Sequence, residues 1–334
     1  MKTLLVAALV AWGALWPAGS GWAADASYFG VVKSAQFQQT VSSPPTILSS
    51  NAYAFTAFVV PATNYAVTNA SFAAPNVITN RSLTLSTNGD LLMYSETFQT
   101  SGALEAAYPS STGLISPSVY RFTLDTLHDG VRNGKASYIL GGNPPTPEVT
   151  NLPEVQSIDT TMDLTLRWPA MGGLLGVVQL LVLDPGSNVV YSSPAPFTTD
   201  ALSPASTSGK IPANSLPAGA NLIGHLVFAR AGLPDTNSYS GAIGVATIAR
   251  DTAFPLITRP APIRPWLQLV TPGSVPVEVQ FSGETNRNYH LQATTNLVSA
   301  EWMDLLVTNA GAVSFTDTQS VTLPQRYYRV RVGP

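Results

Sequence analysis

The chain has 334 residues, a formal net charge of −3, charged side chains at only 10% of positions, and no cysteine. The missing thiols exclude disulfide staples, thiol nucleophiles, thiolate metal centres and a lipid-attachment cysteine, and the weakly acidic balance gives no basic field for nucleic acid or anionic lipid. So uncharged a surface must be built from Ser, Thr, Asn and Gln, and the folded state must rest on packed cores.

Lys2 precedes an apolar stretch from Leu4 to Trp16, and Gly21-Trp22-Ala23 and Ala24-Asp25-Ala26 place small residues after it. A charged start, an apolar run short of the about 20 residues that span a bilayer, and an Ala-x-Ala site predict a signal peptide over residues 1–26. The cut is expected after Ala26 or Ala23, which makes the protein secreted: extracellular, surface-bound or periplasmic. The most apolar interior run, Gly173–Leu183, is about half a span, so no membrane span is expected once the leader is removed.

Alternation with period two then dominates, as in sheets with one wet face. Tyr53, Phe55, Ala57 and Val59 share a face, as do Tyr120, Phe122 and Leu124, and as do Val275, Val277, Val279 and Phe281. Asn88-Gly89-Asp90, His128-Asp129-Gly130, Asn133-Gly134 and Asp184-Pro185-Gly186 supply turns. One short helix is predicted at Ser101–Ala107, with Ser101 as N-cap and Pro109 as a stop. Proline-rich joints at Gly141–Pro147 and Pro260–Pro265 divide the mature chain into modules over 27–143, 148–258 and 263–334. The expected fold class is all-β: tandem antiparallel β-sandwich modules with at most one or two short helices.

In the middle module Met162, Leu164, Leu166 and Trp168 share a face, an apolar strand runs from Val177 to Leu183, and Leu216-Pro217-Ala218-Gly219 leads into another strand. This pattern resembles a fibronectin type III domain, which implies an immunoglobulin-like two-sheet sandwich with Trp168 in its core. Leu222 stands where that family places the tyrosine that pins the corner. From Val275 through Tyr289-His290-Leu291-Gln292-Ala293, Glu301-Trp302-Met303-Asp304 and Tyr327-Tyr328-Arg329-Val330, the chain is similar to a short C-terminal β-module of large exported proteins of verrucomicrobial-type bacteria. The Tyr28–Lys33 and Leu104–Pro109 segments are similar to the first module of such proteins. These resemblances imply architecture and export, and no activity.

The chemistry-bearing residues are sparse. His128, His225 and His290 fall one to each module, so neither a metal site nor a cofactor is expected. Gly130–Ala136 mimics a phosphate loop but leads into a strand and reads as a hairpin turn. The acid pairs Asp125/Asp129, Asp159/Asp163 and Glu301/Asp304 are the candidates for glycoside hydrolysis, and all lie in turn-like or strand-end sequence where acids solvate. On the last strand Tyr327, Arg329 and Arg331 share a presumed outer face. With Trp302 they form the one candidate binding set, able to stack on a sugar or grip a carboxylate. The same strand also fits a charged edge that resists sheet-to-sheet aggregation. The leading reading is a non-catalytic structural or adhesion protein with surface proteins as partners. The alternative is a protein binding extracellular polysaccharide, with a glycoside hydrolase as the third reading.

Overall fold

A computed structural model describes residues 24–333 apart from 76–78, 112–116, 139–141, 174–175, 196–197, 261–264, 271–275, 286 and 299–300. The leader residues Lys2, Leu4–Trp16 and Ala23, as well as Val275, lie outside the described residues. The protein is all-β, and Ser101–Ala107 (α1) is the one α-helix among the described residues. The N-cap of α1 is Thr100 rather than Ser101: the Thr100 hydroxyl accepts the Ala103 amide. The described residues form two compact units that divide between Arg259 and Pro260.

In the first unit the strands are β1 (Ala26–Gln38), β2 (Thr46–Ile47), β3 (Tyr53–Pro61), β4 (Val67–Ala73), β5 (Arg81–Ser82), β6 (Thr84–Leu85), β7 (Leu92–Phe98), β8 (Val119–Thr126) and β9 (Val131–Ser137). They continue with β10 (Leu164–Arg167), β11 (Val177–Leu183), β12 (Val189–Ser192), β13 (Ser208–Ile211), β14 (Asn221–Ala231) and β15 (Ile243–Ile257). The main sheet has the order β12-β11-β14-β15-β1-β3-β7-β6, with β2 on β1. Its seam joins segments expected in separate modules: β1 runs parallel to β15, from Tyr28 opposite Ile243 to Gln38 opposite Ala253. Among the described residues the other paired strands are antiparallel, and one isolated parallel bridge joins Ile158 to Thr258.

Residues 27–143 and 148–258 therefore share one sheet within one compact unit. The first proline-rich joint is held down rather than free. Thr252 donates to the Pro147 carbonyl, Arg250 to Thr146, and Gln39 exchanges two hydrogen bonds with the Val149 backbone. Proline carries no amide donor, but its carbonyl remains an acceptor, and the buried Thr252 uses it.

Two second layers cover the same face of this sheet. The β5-β4-β8-β9 sheet closes the first core, where Phe29 meets Phe122 at 5.4 Å and Phe55 stacks on Tyr108 at 3.7 Å. The β10-β13 ribbon closes a second core around Leu166, Trp168, Leu180, Phe228 and Phe254. Trp168 is buried and its indole N–H donates to the Ser206 carbonyl. Met162 does not continue that inward row and is 66% exposed. Leu222 packs in this core, and the hydroxyl of buried Thr258 pins the Leu216–Ala220 corner, donating to the Pro217 carbonyl and accepting the Ala220 amide.

One inward position of β1 is charged. Phe29, Val31 and Lys33 alternate toward the first core, and the Lys33 ammonium, 3% exposed, donates to Glu105 and Ser110 at 2.7 Å each. Burial pushes this amine down, against the pull of Glu105.

The second unit contains β16 (Trp266–Leu269), β17 (Val277–Ser282), β18 (Tyr289–Thr294), β19 (Met303–Thr308), β20 (Ala312–Asp317) and β21 (Tyr327–Val332). They form two three-stranded sheets, β16-β17-β20 and β19-β18-β21. The sheets meet over buried Val279, Phe281, Tyr289 and Leu291, flanked by Tyr328, Val330 and Val332.

Candidate binding strip on the C-terminal unit

Strand alternation sorts β18 and β21 into two faces. Tyr289, Leu291, Tyr328, Val330 and Val332 take the core side, so Tyr327, Arg329 and Arg331 are left outside and exposed. Pairing sets Tyr327 opposite Thr294, Arg329 opposite Gln292 and Arg331 opposite His290. Across the other edge of β18, Asp304 stands opposite Gln292 beside a register shift.

A connected polar chain results. The His290 imidazole Nδ1 lies 3.0 Å from Asp304 Oδ2, and Gln292 Nε2 donates to Asp304 Oδ1 at 2.6 Å. Arg329 Nε donates to Gln292 Oε1 at 2.8 Å, and its guanidinium lies 4.1 Å from the centroid of the Trp302 ring. The His290 and Gln292 hydrogen bonds hold the Asp304 carboxyl below its usual range. Gln292, buried, locks the strip: its amide gives one hydrogen to Asp304 while its carbonyl takes one from Arg329. Such fixed partners leave Arg329 with little rotamer freedom to lose on binding, which is what a preorganised site requires.

A groove of about 430 Å³ opens beside this chain, lined by Ala293, Thr294, Thr295, Glu301, Trp302, Met303 and Arg326. Its floor is fixed by a buried ion pair, Arg326 Nε to Asp317 Oδ2 at 2.6 Å, and by Tyr328, whose hydroxyl donates to Asp317 at 2.9 Å. Burial and that hydrogen bond push the Tyr328 phenol up to about 12, so it stays a donor.

Of the four residues singled out from sequence, the structure brings Trp302 and Arg329 into contact and sets Tyr327 and Arg331 at the two ends of the same strand face. Sequence reasoning missed Gln292, Asp304, Thr295, Glu301 and Arg326 as members of one site. The shared outer face of Tyr327, Arg329 and Arg331 was visible, but nothing local to Trp302 showed that it would meet Arg329.

The other polar candidates are engaged elsewhere. Asp125 accepts from Asn69, while Asp129 accepts from the Asp25 amide and Tyr239. Asp159 caps its own turn through Thr161, and Asp163 pairs with Lys210. His128 Nδ1 meets Asp25 at 2.7 Å, and the buried His225 faces both oxygens of Asp251 at 3.0 Å. The Gly130–Ala136 segment is the β8-β9 hairpin, with Gly134 packed against the Phe29 ring. No group of three metal-ligating side chains converges among the described residues, and no helix there is long and apolar enough to cross a membrane.

No protein-family model matches the chain, and no curated protein does. Among solved structures it is similar to fibronectin domains FN1–FN3 of chicken CNTN1, at 9% identity over 83% of this chain and 87% of that one, with a TM-score of 0.24. It is also similar to a BSP domain of a biofilm-associated protein, at 9% identity over 94% of this chain and 64% of that one, TM-score 0.19. A third likeness is to E. coli alpha-2-macroglobulin, at 11% identity over 84% of this chain and 17% of that one, TM-score 0.20. Scores this low carry no argument about this chain, and its β-rich class rests on its own strands.

Proposed function

We propose that this is an exported, non-catalytic binding protein of a cell surface or matrix, whose large first unit is a scaffold and whose C-terminal unit grips extracellular polysaccharide along the Trp302–Arg329 strip. Export follows from Lys2, the Leu4–Trp16 run and the small residues after it. The observation that carries the binding reading is the Arg329 guanidinium held 4.1 Å from the Trp302 ring beside an open polar groove. A sugar ring offers C–H faces to an indole and hydroxyls or carboxylates to a guanidinium, and a groove walled by Trp302 with Arg329 against that ring suits both. Thr295 and Glu301 add a donor and acceptors on the same wall.

The test is retention on a panel of immobilised neutral and uronic-acid polysaccharides, for wild type, Trp302→Ala and Arg329→Ala. Retention of wild type is expected on at least one glycan, with about tenfold weaker binding in each variant, the size of a central contact truncated, and an unchanged circular dichroism spectrum. Wild type passing unretarded through every column would sink the polysaccharide reading. Unimpaired binding by both variants would remove the strip from it.

A further inference from the structure

We infer that the mature chain begins at Ala24, the leader being cut between Ala23 and Ala24 and not after Ala26. This rests on the export reading above, and it concerns a choice that the sequence leaves between two small-residue sites. In the cleavage, water adds across the Ala23–Ala24 amide under a signal peptidase, leaving a carboxylate on Ala23 and an α-ammonium on Ala24.

The fold decides between the sites because the residues a later cut would discard are built into it. Ala26 opens β1, is fully buried, and pairs with Pro61. Asp25 is 6% exposed and every polar group it has is engaged. Its Oδ2 accepts the His128 and Asp129 amides at 2.6 and 3.0 Å, and its Oδ1 meets His128 Nδ1 at 2.7 Å. Its own amide donates to Asp129 Oδ2 at 3.0 Å, and its carbonyl accepts the Ala62 amide at 2.8 Å. Asp129 Oδ2 also takes the Tyr239 hydroxyl at 2.5 Å, so the knot ties the start of β1 to the β8-β9 turn and to the segment before β15. These hydrogen bonds hold the Asp25 carboxyl at about 2.

A leader is removed from an unfolded chain, and nothing in the product then depends on it. Asp25 closes contacts to residues more than a hundred positions away, and its loss would break the hydrogen bonds that tie the His128, Asp129 and Ala62 amides to the start of β1. A cut after Ala26 would also empty the space that buried Ala24, Asp25 and Ala26 fill at the start of β1, and lost hydrogen bonds and unfilled cavities are both costly, so the folded product is one that keeps Asp25.

The experiment is to express the full chain in a secreting bacterial host and read the exported protein by intact mass and N-terminal sequencing, alongside Asp25→Asn. The expected product starts Ala24-Asp25-Ala26-Ser27, and Asp25→Asn carries its one-dalton change and melts lower than wild type. A product starting at Ser27 would overturn the inference while leaving export intact, and Asp25→Asn would then yield a protein identical to wild type in mass and melting. A chain recovered only with Met1 would overturn the export reading, and this inference with it.

Discussion

A lysine ammonium shut away from water keeps its charge only where an anion and further hydrogen-bond partners replace the solvent it lost. Lys33 has such partners in Glu105 and Ser110, but Glu105 is 49% exposed and can return to water alone. The two ends of the pair should respond differently to removal. Glu105→Ala leaves a buried unpaired ammonium and is expected to cost about 3 kcal/mol, whereas Lys33→Met leaves only a solvated carboxylate and should stay within about 1 kcal/mol of wild type. Urea unfolding of both variants checks this, and equal losses would show that Lys33 is not the partner that burial penalises. His225 obeys the same rule in a titratable form. Burial opposes its charge, but the hydrogen bond and charge of Asp251 prevail and raise it above 6.5. A raised folded value means the pair's stabilisation is complete below 6.5 and is lost as pH rises through that higher value. The melting temperature of the first unit should therefore fall on the alkaline side of 6.5, and this fall should be absent in His225→Gln.

At the scale of elements, the β1-β15 seam decides the architecture. The strands can close there because Gly30 lacks a side chain: a Cβ at that position would stand 1.9 Å from the Val245 carbonyl oxygen, a backbone atom with no rotamer to yield. Gly30→Val is expected to destabilise the first unit by about 2 kcal/mol or more, in the range of overpacking, and to lower its melting temperature by several degrees. A neutral result in differential scanning calorimetry would mean that the seam is not tightly closed. Nothing local to β1 or β15 showed that they would pair. A parallel partner more than 200 positions away leaves no turn signature, unlike the β8-β9 hairpin with its Gly130.

For the whole molecule, the two units differ in how much apolar side chain they remove from water. Among the described residues the first holds three buried clusters, and the second has Val279, Phe281, Tyr289 and Leu291 buried at its centre. Burial scales with domain size, and small domains are the marginal ones. Calorimetry of the full chain should show two transitions, with residues 260–334 melting first. Phe281→Ala should move only the lower one. A single transition that shifts as a whole would show that the units unfold together.

By itself the sequence determined the class of this protein. Period-two alternation fixed the inward rows of β3, β8 and β17, placed Trp168 in a core, and put Tyr327, Arg329 and Arg331 on one outer face, because side-chain direction in a strand is a local property of the backbone. Tertiary structure alone decided what those rows face. It joined two expected modules through β1 and β15, pinned the Leu216–Ala220 corner from Thr258, knotted Asp25 to His128 and Asp129, and brought Trp302 against Arg329. These contacts depend on which distant strands meet, and the closing of long loops is governed by the whole core rather than by any stretch of neighbouring residues.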